Sequence, residues 1–376
     1  MSVDVPKDTL ADRAHMRAAL TLAARGLGRV APNPAVGCVL VRAGHVVGRG
    51  WTQPGGRPHA EREALYRAGV AARGATAYVT LEPCSHHGAT PPCADALVEA
   101  GIARVVAAMV DPDTRVAGRG IARLRAAGIA VETGLLEREA RRLNLGFILN
   151  RTAGRPLVTL KLATTLDGRI ATAVGESQWI TGPAAREAAH QIRADHDAIA
   201  VGIGTALSDD PSLTVRLPGD PGPAPLRVVF DSRGRLGADA KLADGAVPSL
   251  VLVGEGVGAP TGIGGASVAP VARGGDGRID PVAALTLLAE RGVTRLMVEG
   301  GGTLAAGLLS AGLVDRIAWF RAGGVIGGDG LAAVGPMGLA ALSDMRRFTL
   351  AETRPVGADV MELWERPIAL DAVAAV

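Results

Sequence analysis

Between residues 59 and 93 the chain concentrates the side chains that can hold a soft metal ion: His59, Cys84 and Cys93, with Glu61 two residues after the histidine. One imidazole and two thiolates are donors of the kind zinc takes in tetrahedral sites, and three protein ligands leave a fourth position for water. Any fold open to this chain must bring the three together. Residues 59–73 read as a helix, so His59 and Glu61 fall in its first turn, where backbone N–H groups point outward. Residues 75–81 read as a strand running into Glu82-Pro83-Cys84, and Pro91 suits the first position of a second helix, which carries Cys93. The spacing predicts two helix starts meeting at one ion. Glu61 is too near His59 in sequence to be the fourth ligand and well placed to exchange protons with the water. From the residues alone a closed structural knuckle stays open as the alternative, although such a site wants a fourth protein ligand.

The surrounding segments alternate. Asp8-Thr9 offers N-cap chemistry for a helix over residues 10–24, where Ala, Leu and Met recur at helical spacing before Gly26. Residues 36–41 are an apolar strand, Ala43-Gly44 a tight turn, and a second strand runs to Val47. Asn33, held between Pro32 and Pro34, either reads the edge of a flat ring or closes an Asx-turn. A strand over 104–110, a helix over 118–127 and a strand over 129–133 then predict an α/β sandwich with a largely parallel sheet. After a helical stretch over 135–149, the polar residues 150–156 suit a linker, giving two domains, 1–150 and 151–376.

In the second domain Lys161 interrupts an apolar strand over 156–163, which calls for a polar task. A turn over 165–170, a helix over 183–195 and strands over 226–231 and 296–299 follow. Gly300-Gly301-Gly302-Thr303 comes between a strand and a helix, the arrangement in which backbone N–H groups cradle phosphate, whereas Gly202-Ile203-Gly204 reads equally as a packed turn. Arg193 and Arg216 suit a phosphate clamp or a solvated surface, and Arg233 and Arg235 a cofactor's extra phosphate. Residues 218–225 and 254–277 read as loops, and 368–376 as an added strand or a disordered tail.

At 376 residues with 48% hydrophobic and 20% charged residues, both domains can bury a full core. Net charge is only +3, without the clustered basic, aromatic-lined stripe that a nucleic-acid binder needs. Three cysteines give no disulfide framework, Cys38 reads as a small buried hydrophobe, and no signal or membrane segment is evident, so a cytoplasmic enzyme is expected.

His-x-Glu with a Pro-Cys and a later cysteine follows the zinc deaminases, most of which place two residues between the cysteines where this chain has eight. The run Leu81-Glu82-Pro83-Cys84-Ser85-His86-His87-Gly88, followed by Thr90-Pro91-Pro92-Cys93, resembles the pyrimidine deaminase of riboflavin biosynthesis, where the longer insert is the rule. Residues 156–330 resemble the reductase domain of the same pathway, and the chain is identified as a member of the bifunctional RibD/RibG family. The resemblance implies a cytidine-deaminase-like α/β/α sandwich followed by a dihydrofolate-reductase-like α/β domain. It implies zinc on His59, Cys84 and Cys93, with Glu61 catalytic, and zinc-hydroxide deamination of 2,5-diamino-6-(5-phosphoribosylamino)pyrimidin-4-one. NADPH reduction of the ribosyl group of 5-amino-6-(5-phosphoribosylamino)uracil to ribityl would follow, with Lys161 near the reacting centre. The matching cofactor contacts are Ala163, Trp179, Thr205, Asp209, Ser232, Gly301, Gly302, Thr303, Leu304, Ala305, Ala306 and Gly307. The matching substrate contacts are Asn33, His86, Ser177, Arg193, Leu213, Arg216 and Glu299, while His87 is expected to face solvent. Two positions depart from the family: Ala89 stands where a basic residue is common and Thr52 where a histidine is, so substrate contacts there would be rearranged. A homo-oligomer acting on a small phosphorylated ribotide, with no nucleic-acid or membrane partner, is expected.

Overall fold

The computed structural model describes residues 9–86, 91–114, 116–219 and 222–367, so the expectations for His87, Ala89 and residues 368–376 lie outside the described residues. The chain divides into two compact units, Met1–Ala153 and Gly154–Val376.

The first unit opens on α1 (Leu10–Ala24), where Thr9 accepts from the Asp12 N–H and Asp12 accepts from the Thr9 N–H, a reciprocal capping box. Asp12 then reaches inward, accepting from the Tyr78 hydroxyl at 2.5 Å and the Arg104 guanidinium at 2.9 Å. Burial pushes this carboxyl up, but Arg104, Tyr78 and Thr9 together hold it well below the usual range. β1 (Gly37–Arg42) and β2 (His45–Trp51) form a hairpin across Ala43 and Gly44, both at positive φ (48° and 77°), as a tight two-residue turn requires.

The order continues α2 (Ala60–Ala68), β3 (Thr76–Val79), α3 (Cys93–Glu99), β4 (Arg104–Ala107), α4 (Arg119–Ala126), β5 (Ala130–Thr133), α5 (Glu137–Leu143) and α6 (Leu145–Ala153). The sheet runs β2-β1-β3-β4-β5. It is mixed rather than largely parallel: β1 is antiparallel to β2, as their two-residue turn requires, and to β3, while β3, β4 and β5 are parallel. α2 stops at Ala68 and a short 3-10 turn, Gly69–Ala72, completes the stretch expected to be one helix, since Gly69 takes a positive φ of 53°. α6 carries the polar residues 150–153 because it is anchored by buried Leu145, Phe147 and Ile148.

The second unit comprises β6 (Leu157–Thr164), β7 (Arg169–Ala171), α7 (Pro183–Ala194), β8 (Ala198–Gly202), α8 (Ile203–Asp209), β9 (Leu226–Phe230), β10 (Ser249–Gly254), β11 (Ser267–Val271) and α9 (Pro281–Glu290). β12 (Arg295–Glu299), α10 (Gly302–Ser310), β13 (Arg316–Arg321), β14 (Leu331–Ala332), β15 (Thr349–Val356) and β16 (Asp359–Glu365) complete it. The large sheet has the order β11-β10-β9-β8-β12-β6-β13-β16-β15. Strands from β11 to β13 are parallel, and β16 and β15 close it antiparallel. β11 corrects the reading of residues 254–277 as loop: Gly and Pro hide a five-residue strand that gains its bonds from β10.

β12 enters late in the chain and slots between β8 and β6, so successive connections diverge on either side of it. In open α/β sheets the crevice at such a switch point, beyond the carboxyl ends of the strands, receives ligands.

Candidate active sites in the two units

In the first unit the site is placed by glycine. A Cβ on Gly50 would come within 2.1 Å of the Ala60 carbonyl and one on Gly48 within 2.3 Å of the Ala64 carbonyl, so the α2 backbone lies directly on β2. His59 is the N-cap of α2 and Glu61 sits in its first turn, nearly fully buried. Cys93 is the first residue of α3, with Pro92 as the cap, one residue later than Pro91 alone suggested.

His59 Nδ1 lies 3.6 Å from Cys84 Sγ and 3.4 Å from Cys93 Sγ, and the Cys93 N–H donates to Cys84 Sγ at 3.3 Å. Tetrahedral zinc with bonds of about 2.05 Å to nitrogen and about 2.3 Å to sulfur separates a nitrogen and a sulfur donor by roughly 3.6 Å, so both nitrogen–sulfur separations suit zinc. All three donor atoms lie within 4.8 Å of one another. Hydrogen bonding from Cys93 brings the Cys84 thiol down to about 4, the ionised form a metal needs, while Cys84, with burial, pushes Cys93 up. Burial first, and Cys84 second, raise the Glu61 carboxyl to about 7 against the opposing pull of His59.

Sequence reasoning missed the residues that hold this site. Glu82 is buried and accepts backbone N–H bonds from Asp111 (3.1 Å), Gly118 (2.9 Å), Gly120 (2.8 Å) and Ile121 (3.2 Å), fixing the chain just before Cys84. Three side chains pin the start of β1 residue by residue: Asn144 bonds both the N–H and C=O of Ala35 at 2.9 Å, Thr52 accepts from Val36, and Thr80 from Gly37. Thr52, the departure from the family, is therefore buried and bonded to backbone. Asn33 packs on Gly56, where a Cβ would meet its amide at 1.9 Å. His86 is exposed at the rim of the Cys84 segment.

In the second unit the predicted residues gather beyond the carboxyl ends of adjacent parallel strands: Ser232 after β9, Thr205 and Asp209 on α8 after β8, Glu299 and the glycine turn at β12, Lys161 and Ala163 on β6. Gly300 and Gly301 take positive φ (82° and 78°) and lead into α10. A Cβ on Gly300 would stand 3.1 Å from the Thr205 side chain and one on Gly302 would stand 2.7 Å from the Ala332 carbonyl, so the turn packs closely against α8 and the Ala332 backbone. Thr303, Leu304, Ala305, Ala306 and Gly307 continue α10, with Ala305 and Ala306 buried.

Lys161 stands opposite Glu299 in the β6–β12 register, with its Nζ 4.0 Å from the carboxylate. Arg193, on α7, grips the same carboxylate with Nε and Nη2, the latter at 2.8 Å, and donates Nη1 to the Thr214 carbonyl at 2.8 Å. Burial alone would raise the Glu299 carboxyl, but Arg193 and then Lys161 bring it to about 2; burial lowers the Lys161 ammonium. Arg193 thus bonds Glu299 and Thr214 through all three of its nitrogens. Leu213, at φ 48°, buries its side chain in the core with Ile199 and Val201. Trp179 is 67% exposed beneath the Arg186 guanidinium, 4.5 Å from the ring centroid, and Ser177 lies in the same segment between β7 and α7. Arg233 and Arg235 are both exposed.

Residues 10–109 match the model of the cytidine and deoxycytidylate deaminase zinc-binding region, and residues 156–361 match that of the RibD C-terminal domain. The riboflavin biosynthesis protein RibD of Escherichia coli is 44% identical over 365 residues, covering 93% of this chain and 98% of its own. The chain belongs to the RibD family. RibD of Aquifex aeolicus is 38% identical over 94% of this chain and 98% of its own. The structure of Acinetobacter baumannii RibD superposes with a TM-score of 0.87 at 37% identity, covering 95% of this chain and 99% of that one. The Thermotoga maritima diaminohydroxyphosphoribosylaminopyrimidine deaminase/5-amino-6-(5-phosphoribosylamino)uracil reductase superposes with a TM-score of 0.84 at 35% identity, with coverages of 95% and 99%. The metal donors His59, Cys84 and Cys93 fall within the region matched to the zinc-binding model, and Lys161, Arg193 and Glu299 within that matched to the RibD C-terminal domain.

Proposed function

We propose that this chain carries out two consecutive steps on one phosphorylated aminopyrimidine ribotide. As a RibD-family member it is a riboflavin-biosynthesis enzyme with a deaminase and a reductase activity. The first step is hydrolytic deamination of 2,5-diamino-6-(5-phosphoribosylamino)pyrimidin-4-one, assigned to the unit ending at Ala153; the second is NADPH reduction of the resulting ribosyl group to ribityl, assigned to the unit from Gly154. The observation that carries the reading is a buried carboxyl, Glu61, two residues from a ligand of a three-donor metal site.

When bound by His59, Cys84 and Cys93, zinc supplies the Lewis acidity that makes water nucleophilic at neutral pH. A buried carboxyl beside the bound water is placed both to take and to return protons. Glu61 accepts the two protons of the attacking water in turn and delivers one to the ring nitrogen and one to the departing amine, so a C–O bond forms, the C–N bond breaks and ammonia leaves. Asn33, fixed by its prolines and by Gly56, orients the pyrimidine, and His86 at the rim meets the ribotide.

In the second unit the glycine turn and the start of α10 suit the cofactor's phosphate, and Thr205, Asp209, Ser232, Ala163 and Trp179 line the same crevice. NADPH supplies hydride to the ribose carbon of the opened imine. Lys161, lowered by burial and steadied by Glu299, gives the accompanying proton to the imine nitrogen. Arg216 meets the substrate phosphate. The cytoplasm is the proposed compartment because Cys84 and Cys93 must stay reduced to ligate; among the described residues no helix is long and apolar enough to cross a membrane. A homo-oligomer is proposed as well, supported by the exposed edge strand β15.

The test is a coupled assay on metal-analysed protein supplied with the diaminopyrimidine ribotide. Ammonia release without NADPH, followed by NADPH oxidation that depends on prior deamination, supports both assignments and their order; bound zinc with no ammonia would refute the first.

A further inference from the structure

His190 lies on α7 one turn before Arg193, is 9% exposed, and attracted no notice in the sequence because a lone histidine among alanines on a helix reads as core. Its imidazole runs along Arg216: Nδ1 lies 3.2 Å from the Arg216 backbone N and Nε2 lies 3.3 Å from the Arg216 Nε. The Arg216 backbone N–H faces Nδ1 and its Nε–H faces Nε2; both only donate and a neutral ring accepts at one nitrogen, so the tautomer with its proton on Nδ1 is the one that holds the guanidinium. The Thr214 carbonyl is the acceptor beside the ring, and the same carbonyl takes Nη1 of Arg193. Burial, then Arg193 and Arg216, bring His190 down to about 4, which keeps the lone pair available at neutral pH.

Arg216 is exposed, and among the described residues nothing takes its terminal nitrogens. A guanidinium held through Nε presents the two remaining nitrogens together, the fork that matches phosphate oxygens. Arg193 already uses Nε, Nη1 and Nη2 on Glu299 and Thr214. We propose that His190 is a positioning residue of the reductase, whose Nε2 holds Arg216 by Nε so that its terminal nitrogens meet the phosphate of the ribotide. The proposal rests on the reading of Arg216 as the phosphate contact.

The experiment measures reductase kinetics of the full chain on the deaminated ribotide and on its dephosphorylated counterpart, for His190→Ala, His190→Gln, His190→Asn, Arg216→Ala and His190→Ala/Arg216→Ala. Loss of one charge-assisted hydrogen bond should raise KM for the phosphorylated substrate by roughly 10- to 100-fold with kcat nearly unchanged. The dephosphorylated substrate should show no such rise, and the double variant should be no worse than Arg216→Ala alone. Glutamine places its oxygen where Nε2 stands and should restore most of the affinity, whereas the shorter asparagine should not. That pair decides the matter even where the alanine variant does not fold. Arg216→Ala raising KM while the His190 variants leave it unchanged would overturn the proposal and keep the phosphate reading; Arg216→Ala without effect on KM would overturn both. A fall in kcat at constant KM in His190→Ala would likewise overturn it.

Discussion

Lys161 keeps an ammonium among apolar strand neighbours because Glu299 stands across from it on β12, and Glu299 in turn stays ionised because Arg193 grips both its oxygens. Removing one member leaves a buried charge without its partner, which costs roughly 3–5 kcal/mol. Arg193→Ala is therefore expected to lower the unfolding midpoint of the second unit markedly and to cut reductase activity, as denaturant titration and NADPH oxidation would show; an unchanged midpoint would refute the coupling. In the first unit the corresponding group is Glu61. Glu61→Gln keeps the shape and the metal donors and removes the proton carrier, so ammonia release should fall by roughly 10²- to 10⁴-fold with zinc content unchanged by elemental analysis.

Elements place these groups. α2 reaches the sheet only because Gly48 and Gly50 have no side chains, and its start carries both His59 and Glu61. Gly50→Ala would set a methyl group 2.1 Å from the Ala60 carbonyl, so the helix must move. Such overpacking costs about 1–3 kcal/mol; the expected result is a lower melting temperature with weaker zinc retention under a chelator, and native zinc affinity would count against the placement argument. Just past the end of α7 lies a second device. His196 donates Nδ1–H to the Ile192 carbonyl at 2.7 Å and accepts at Nε2 from the Thr159 hydroxyl at 2.9 Å, fully satisfied as a neutral ring. Burial, with Arg295 nearby, brings it from 6.5 to about 3. Between those values the unfolded chain binds a proton that the folded one does not, so stability is complete above pH 6.5 and falls as pH drops towards 3. The full loss is on the order of 4 kcal/mol. Urea midpoints measured from pH 7 to 4 should decline, and His196→Asn should flatten the slope; a flat wild-type profile would contradict this.

At the scale of the whole molecule the two chemistries sit in separately cored units, each with its own sheet. Stripping the metal with a chelator should abolish ammonia release and leave NADPH oxidation of the already deaminated ribotide within about twofold of the untreated protein, a split read in the two assays side by side. Loss of both activities together would mean that the metal supports more than the first site.

The sequence by itself determined the metal donors, the alternation of strands and helices, and the glycine-rich turn after β12, because each is a short-range pattern of residue type and spacing. It also marked Lys161, since a charge in an apolar strand stands out without any coordinates. It did not show the strand β11, whose Gly- and Pro-rich surroundings mask a partner supplied by β10, nor the antiparallel place of β1. Only the tertiary structure decided that Glu82 grips four backbone N–H groups, that Asn144 clamps Ala35 from 109 residues away, and that Arg193 spends its guanidinium on Glu299 while His190 holds Arg216. These are long-range hydrogen bonds between common residue types. Nothing in local spacing encodes which distant backbone group a buried carboxylate, amide or imidazole will meet, and that pairing is settled when the sheets and helices pack.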